Sequence, residues 1–110
     1  MVVLLGKNRD RVSIIAAILE VANGGSSKTH IMFGANLSFS LLEKYLTVAM
    51  DSGFIRLEDS MYHLTERGQE YLRQYRLFEA RYVGAQKLLE VLSCERERFA
   101  MFCEGSKVNG

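Results

Sequence analysis

Residues 28–72 read KTHIMFGANLSFSLLEKYLTVAMDSGFIRLEDSMYHLTERGQEYL. The spacing of apolar residues changes along this stretch, and each change marks a boundary between elements. Residues 29–33 form a short helix capped by Ser26 or Ser27, with Ile31 and Met32 as its core contacts. Gly34-Ala35-Asn36-Leu37 is a turn in which the glycine relieves the steric cost of reversal and Leu37 points back into the core. Ser38 then caps a longer helix that runs to about Ser52 and ends at Gly53. Leu42, Tyr45, Leu46, Ala49 and Met50 make its inner face. Ser40, Leu41, Lys44 and Thr47 make the outer one, with Glu43 at the edge.

Two short alternating runs follow, Phe54-Ile55-Arg56-Leu57 and Met61-Tyr62-His63-Leu64, joined by the acidic tip Glu58-Asp59-Ser60. This is a β-hairpin. Thr65 caps a last helix, and Gly68 in its first turn predicts close backbone packing against a neighbouring helix. Helix, turn, helix, hairpin and helix in that order make a winged helix-turn-helix.

Working outward, residues 9–22 form a preceding helix with Val12, Ile15, Ala16, Leu19 and Ala22 on one face, widened by Ile14 and Ile18. Asn23-Gly24-Gly25 ends it, since these residues tolerate a positive φ. The apolar run Met1-Val2-Val3-Leu4-Leu5 is too short for a membrane span and reads as an extension docked on the domain. Downstream, Tyr71, Tyr75, Phe78, Tyr82, Ala85, Leu89, Leu92, Arg96, Phe99 and Cys103 recur in steps of four and three. That is the repeat of a left-handed coiled coil. A helix from Glu66 to about Phe102 would extend roughly 55 Å at ~1.5 Å per residue, more than one small domain covers. The expected fold is mostly α with a small β-hairpin. Residues 1–70 form the winged helix-turn-helix domain, 71–104 the dimerisation helix and 105–110 a flexible tail. The dimer is expected to be antiparallel, through Tyr75, Phe78, Tyr82, Ala85, Leu89, Leu92 and Phe99.

Composition excludes several classes. A chain of 110 residues with 48% hydrophobic and 25% charged residues builds a core, and the absence of proline permits long helices. Cys94 and Cys103, nine apart on one helix, match no zinc spacing and cannot pair with each other; they read as free, half-buried thiols. His30 and His63 are isolated, Gly24-Gly25 lacks the Lys-Ser/Thr of a phosphate loop, and no acid/base pair stands out. No enzyme activity, metal, cofactor or small-molecule substrate is expected, and no membrane association. The expected compartment is the cytoplasm, with association to the nucleoid. Net charge is only +1, and the segment holding the longer helix and hairpin, residues 38–65, has more acidic than basic side chains.

The runs Lys28-Thr29-His30-Ile31-Met32-Phe33, Ala35-Asn36-Leu37-Ser38-Phe39, Gly53-Phe54-Ile55 and Tyr62-His63-Leu64-Thr65-Glu66-Arg67-Gly68, with Leu42 and Tyr45-Leu46, resemble the small archaeal winged-helix DNA-binding proteins. These include chromatin-associated members that dimerise through an antiparallel coiled coil. The resemblance implies an archaeal homodimer that binds double-stranded DNA as a transcription regulator or minor chromatin component. Ser40, Leu41 and the acidic hairpin tip depart from that pattern. On this reading the helix from Ser38 enters the major groove. Asn36, Ser38 and Ser40 donate to phosphate or base edges, Lys44 meets phosphate or guanine, and Leu41 meets a thymine methyl. Lys28, Thr29 and His30 hold phosphate, Arg56 reaches the adjacent backbone, and Arg9 or Arg11 adds a contact. The rival expectation is a winged helix that binds protein and not DNA.

Overall fold

The computed structural model describes residues 9–104; the apolar run at residues 1–5 and the tail at 105–110 lie outside them. The elements are α1 (Arg11–Ala22), α2 (Lys28–Gly34), α3 (Phe39–Asp51), β1 (Ile55–Glu58), β2 (Met61–Leu64) and α4 (Glu66–Glu104). The chain divides into two compact units, one ending at Arg76 and one beginning at Leu77.

In the first unit, side-chain oxygens set the starts of the helices. Asp10 accepts from the Ser13 amide, Ser27 from His30, Ser38 from Leu41 and Thr65 from Gly68, each satisfying an N–H that the helix leaves without a partner. Ser27 is thus the cap of α2. Ser26 instead bridges to Tyr62 through two backbone hydrogen bonds, of 3.0 and 2.8 Å, and so ties the segment before α2 to the hairpin. Gly24 and Gly25 take the positive φ expected of them, at 95° and 96°.

The core gathers Ile14, Ile15, Ile18 and Leu19 of α1, Ile31 of α2, Leu42, Leu46 and Ala49 of α3, Ile55, Tyr62 and Leu64 of the hairpin, and Leu72 of α4. β1 and β2 pair antiparallel, with Ile55 opposite Leu64, Arg56 opposite His63 and Leu57 opposite Tyr62. Glu58 closes the ladder against Met61, so the tip is only Asp59-Ser60, both at positive φ as a two-residue hairpin loop requires. Arg76 reaches back to Glu20 with two hydrogen bonds of 2.9 Å, fastening the first part of α4 to α1.

Several sequence expectations give way here. The first helix begins at Arg11, and Val12 is exposed because the buried arc of α1 is centred on Ile14, Ile15, Ile18 and Leu19. Met50 is also exposed: a step of one residue turns the helix about 100° away from buried Ala49. Gly34 does not make the reversal. It ends α2, and the positive φ falls on Asn36, at 56°. A Cβ at Gly34 would come within 2.9 Å of both Val21 methyls, so this glycine serves helix packing. Gly68 packs against backbone as expected, but the partner is the Phe54 carbonyl and not a helix: a Cβ there would sit 2.1 Å from that oxygen.

The second unit holds the rest of α4. Leu77, Phe78, Tyr82, Leu88, Leu89, Leu92 and Phe99 are exposed in the single chain. Cys94 and Cys103 are free, and both are exposed rather than half-buried because no second helix covers their faces in one chain. Tyr71 and Tyr75, the first two positions of the repeat, belong to the first unit and pack against its core. The Tyr71 hydroxyl donates to the Val12 carbonyl at 3.1 Å. Among the described residues no helix is long and apolar enough to cross a membrane.

Candidate nucleic-acid interface

One side of α3 is held and the other is free. Leu42, Leu46 and Ala49 are buried, while Ser40, Lys44, Thr47 and Asp51, recurring at steps of four and three on the opposite side, are exposed. Burial of the inner line fixes which way the outer line faces. Asn36 and Ser38, before the first turn, and Leu41 within it are exposed as well, and so are Thr29 and His30 on α2. The turn between the helices is braced from outside: the Arg9 guanidinium donates to the carbonyls of Ala35, at 2.9 Å, and Asn36, at 3.2 Å. Arg9, expected to add a phosphate contact, is therefore engaged in holding the turn.

Lys28 links the two helices. Its ammonium forms an ion pair with the Glu43 carboxylate and lies 5.3 Å from the centre of the Phe39 ring. The hydrogen bond to Glu43 lifts the Lys28 pKa above that of an ordinary lysine. Lys44, on the outer line, lies over the Tyr45 ring at 5.3 Å. In the hairpin, Arg56 donates to the Leu64 carbonyl at 3.3 Å and approaches Glu58 at 3.5 Å, with both side chains largely in solvent. Pairs this exposed contribute little to stability and exchange readily for another anion.

Of the residues expected at the site, Lys28 is brought directly against α3. Ser38 caps α3, Ser40, Leu41 and Lys44 lie in its first two turns, and Arg56 lies apart on β1. His63 packs with its ring over Gly25, where an added Cβ would fall 2.9 Å from it; its place is structural. Sequence reasoning passed over Phe33 and Phe39, which are 73% and 61% exposed. For Phe33 a signal existed: two residues beyond buried Ile31, a helix has turned about 200° toward solvent. For Phe39 none did, since its exposure depends on how α2 sits beside α3. Among the described residues no group of three or more His, Cys, Asp or Glu side chains is arranged to hold a metal ion.

The chain resembles known proteins in sequence and in fold. The uncharacterized protein MJ0287 of Methanocaldococcus jannaschii is 36% identical over 73 residues, which is 64% of this chain and 75% of that protein. The uncharacterized protein MJ0290 of the same organism is 39% identical over 67 residues, and there the matched region spans only 32% of the relative's length. Among solved structures, Sso10a-2, a DNA-binding protein from Sulfolobus solfataricus, matches with a TM-score of 0.59 at 22% identity, over 86% of this chain and 96% of that one. This likeness is one of fold. The model of the winged helix-turn-helix family matches residues 8–82, and the chain belongs to that family.

Proposed function

We propose that the protein binds double-stranded DNA as a homodimer and works, without catalysing a reaction, as a transcription regulator or minor chromatin component on the nucleoid. The observation that carries this reading is the outer face of α3, exposed along Ser40, Lys44 and Thr47 while its opposite face is locked into the core. A helix so held fits the major groove. In this reading Asn36, Ser38 and Ser40 donate to phosphate or base edges, and Lys44 meets phosphate or guanine. Leu41 touches a thymine methyl, Lys28, Thr29 and His30 meet phosphate, and Arg56 reaches the adjacent backbone. The Ser38 oxygen accepts from the Leu41 amide and still has its hydroxyl proton to donate. The winged-helix neighbour from Sulfolobus is described as a DNA-binding protein, which agrees with this reading.

Salt-titrated binding to random duplex DNA tests it. With Arg9 engaged by the turn and Lys28 paired with Glu43, the well-presented cations per subunit are Lys44 and Arg56. At about −0.9 per phosphate neutralised, a dimer gives a slope of log K against log salt of roughly −4. Lys44→Ala is expected to weaken binding about tenfold or more with altered sequence preference if Lys44 reads guanine, and to shrink the dimer's slope by about two if it meets only phosphate. A second reading, a winged helix that binds protein, is favoured by the net charge of +1 and by the pairing of Lys28 with Glu43. Absence of duplex binding at low salt decides for it.

A further inference from the structure

We infer that Phe39, together with Leu41, makes α3 a reader of thymine methyl groups, so that the preferred duplex is rich in A·T pairs; this rests on the DNA-binding reading above. The sequence of α3, FSLLEKYLTVAMD, contains no Arg, Asn or Gln, which leaves Lys44 as its one long side chain for pairing with a purine edge. In its first turn the large side chains are Phe39, Leu41 and buried Leu42. Phe39 is 61% exposed and Leu41 39% exposed. Two residues apart, they project from opposite flanks of the helix tip, with Ser40 between them.

A helix with its side chains is about 10–12 Å across and the major groove about 12 Å wide, so both flanks of an inserted tip meet base edges. The one apolar group those edges offer is the thymine C5-methyl. Lys28 lies over the Phe39 ring and pairs with Glu43 one helical turn along, so the exposed aromatic surface sits beside a cation. The neighbouring cations Lys28 and Lys44 suit a phosphate-walled groove better than an apolar peptide.

The test replaces every thymine of an A·T-rich duplex by uracil, which removes only the methyls, and compares affinities by fluorescence anisotropy at fixed salt. Wild type should bind the thymine duplex more tightly, by about fourfold for each methyl covered, the equivalent of one buried methylene. Phe39→Ala should lose most of that preference while keeping its salt slope. Because Phe39 is largely exposed, the variant should fold, and circular dichroism checks this. Equal binding of both duplexes by wild type overturns the inference and leaves DNA binding intact. A preference that persists in Phe39→Ala removes Phe39 from the role, and no duplex binding at all overturns both this inference and the reading beneath it.

Discussion

Lys28 holds Glu43 and the Phe39 ring at once, and a DNA phosphate arriving there has to displace the carboxylate. Glu43 thus acts against any anionic partner twice, by occupying the ammonium and by adding its own negative charge to the face of α3. Glu43→Gln keeps the size of the side chain and removes both effects. Duplex affinity at low salt should rise about three- to tenfold, with the salt slope steeper by up to about one unit per bound subunit. Anisotropy titrations at several salt concentrations measure both quantities. An unchanged affinity would mean that Lys28 faces no phosphate. The same residues mark the limit of sequence reading at this scale. Caps such as Ser38 and Thr65 are legible because a side-chain oxygen and an amide three residues on are local chemistry. The Lys28–Glu43 pair joins two helices, and no spacing rule within one helix reveals it.

Between elements, α4 comes close to the chain entering β1 at Gly68. The Phe54 carbonyl accepts from the Thr65 amide at 2.9 Å and lies where a Gly68 side chain would begin. Gly68→Ala should therefore push α4 from the hairpin and destabilise the first unit by about 3 kcal/mol, near the upper end for overpacking. Gly84, with nothing within 4 Å of its missing Cβ, makes the contrast. Gly84→Ala should stabilise by up to about 1 kcal/mol through helix propensity alone. Thermal and urea melts of the two variants should move in opposite directions, and a neutral Gly68→Ala would refute the close approach. The sequence revealed that Gly68 needed a close neighbour but not which one, because a missing side chain records proximity without direction. Element order was legible throughout, since apolar periodicity and turn residues are printed in the chain. The reversal at Asn36 was misread as belonging to Gly34, because both residue types accept turn geometry and only the packing of α2 on Val21 decides between them.

For the whole molecule the open question is what covers the second unit. Phe78, Ala85, Leu92 and Phe99 fall at one heptad position and Tyr82 and Leu89 at the other, with Arg96 and Cys103 continuing the latter line. In the single chain, Phe78, Leu89, Leu92 and Phe99 are each about half exposed or more, a stripe that monomeric proteins rarely leave bare. A second copy is the partner we propose. Leu89→Glu with Leu92→Glu should give a monomer in sedimentation at micromolar concentration, with the first unit still folded by near-ultraviolet circular dichroism. Wild type that is already monomeric there would sink the dimer. Orientation is a separate matter, and Cys103 reports on it. A parallel coil brings equivalent seam residues of the two chains together, so mild oxidation would couple Cys103 to its copy, provided the Cα atoms come within about 7 Å. An antiparallel coil sets Cys103 against an earlier stretch of the partner helix. We therefore expect little Cys103 dimer on oxidation of wild type and no change when Cys94 is replaced by serine. Efficient coupling through Cys103 would establish the parallel form, and with it a different spacing of the two α3 helices along DNA.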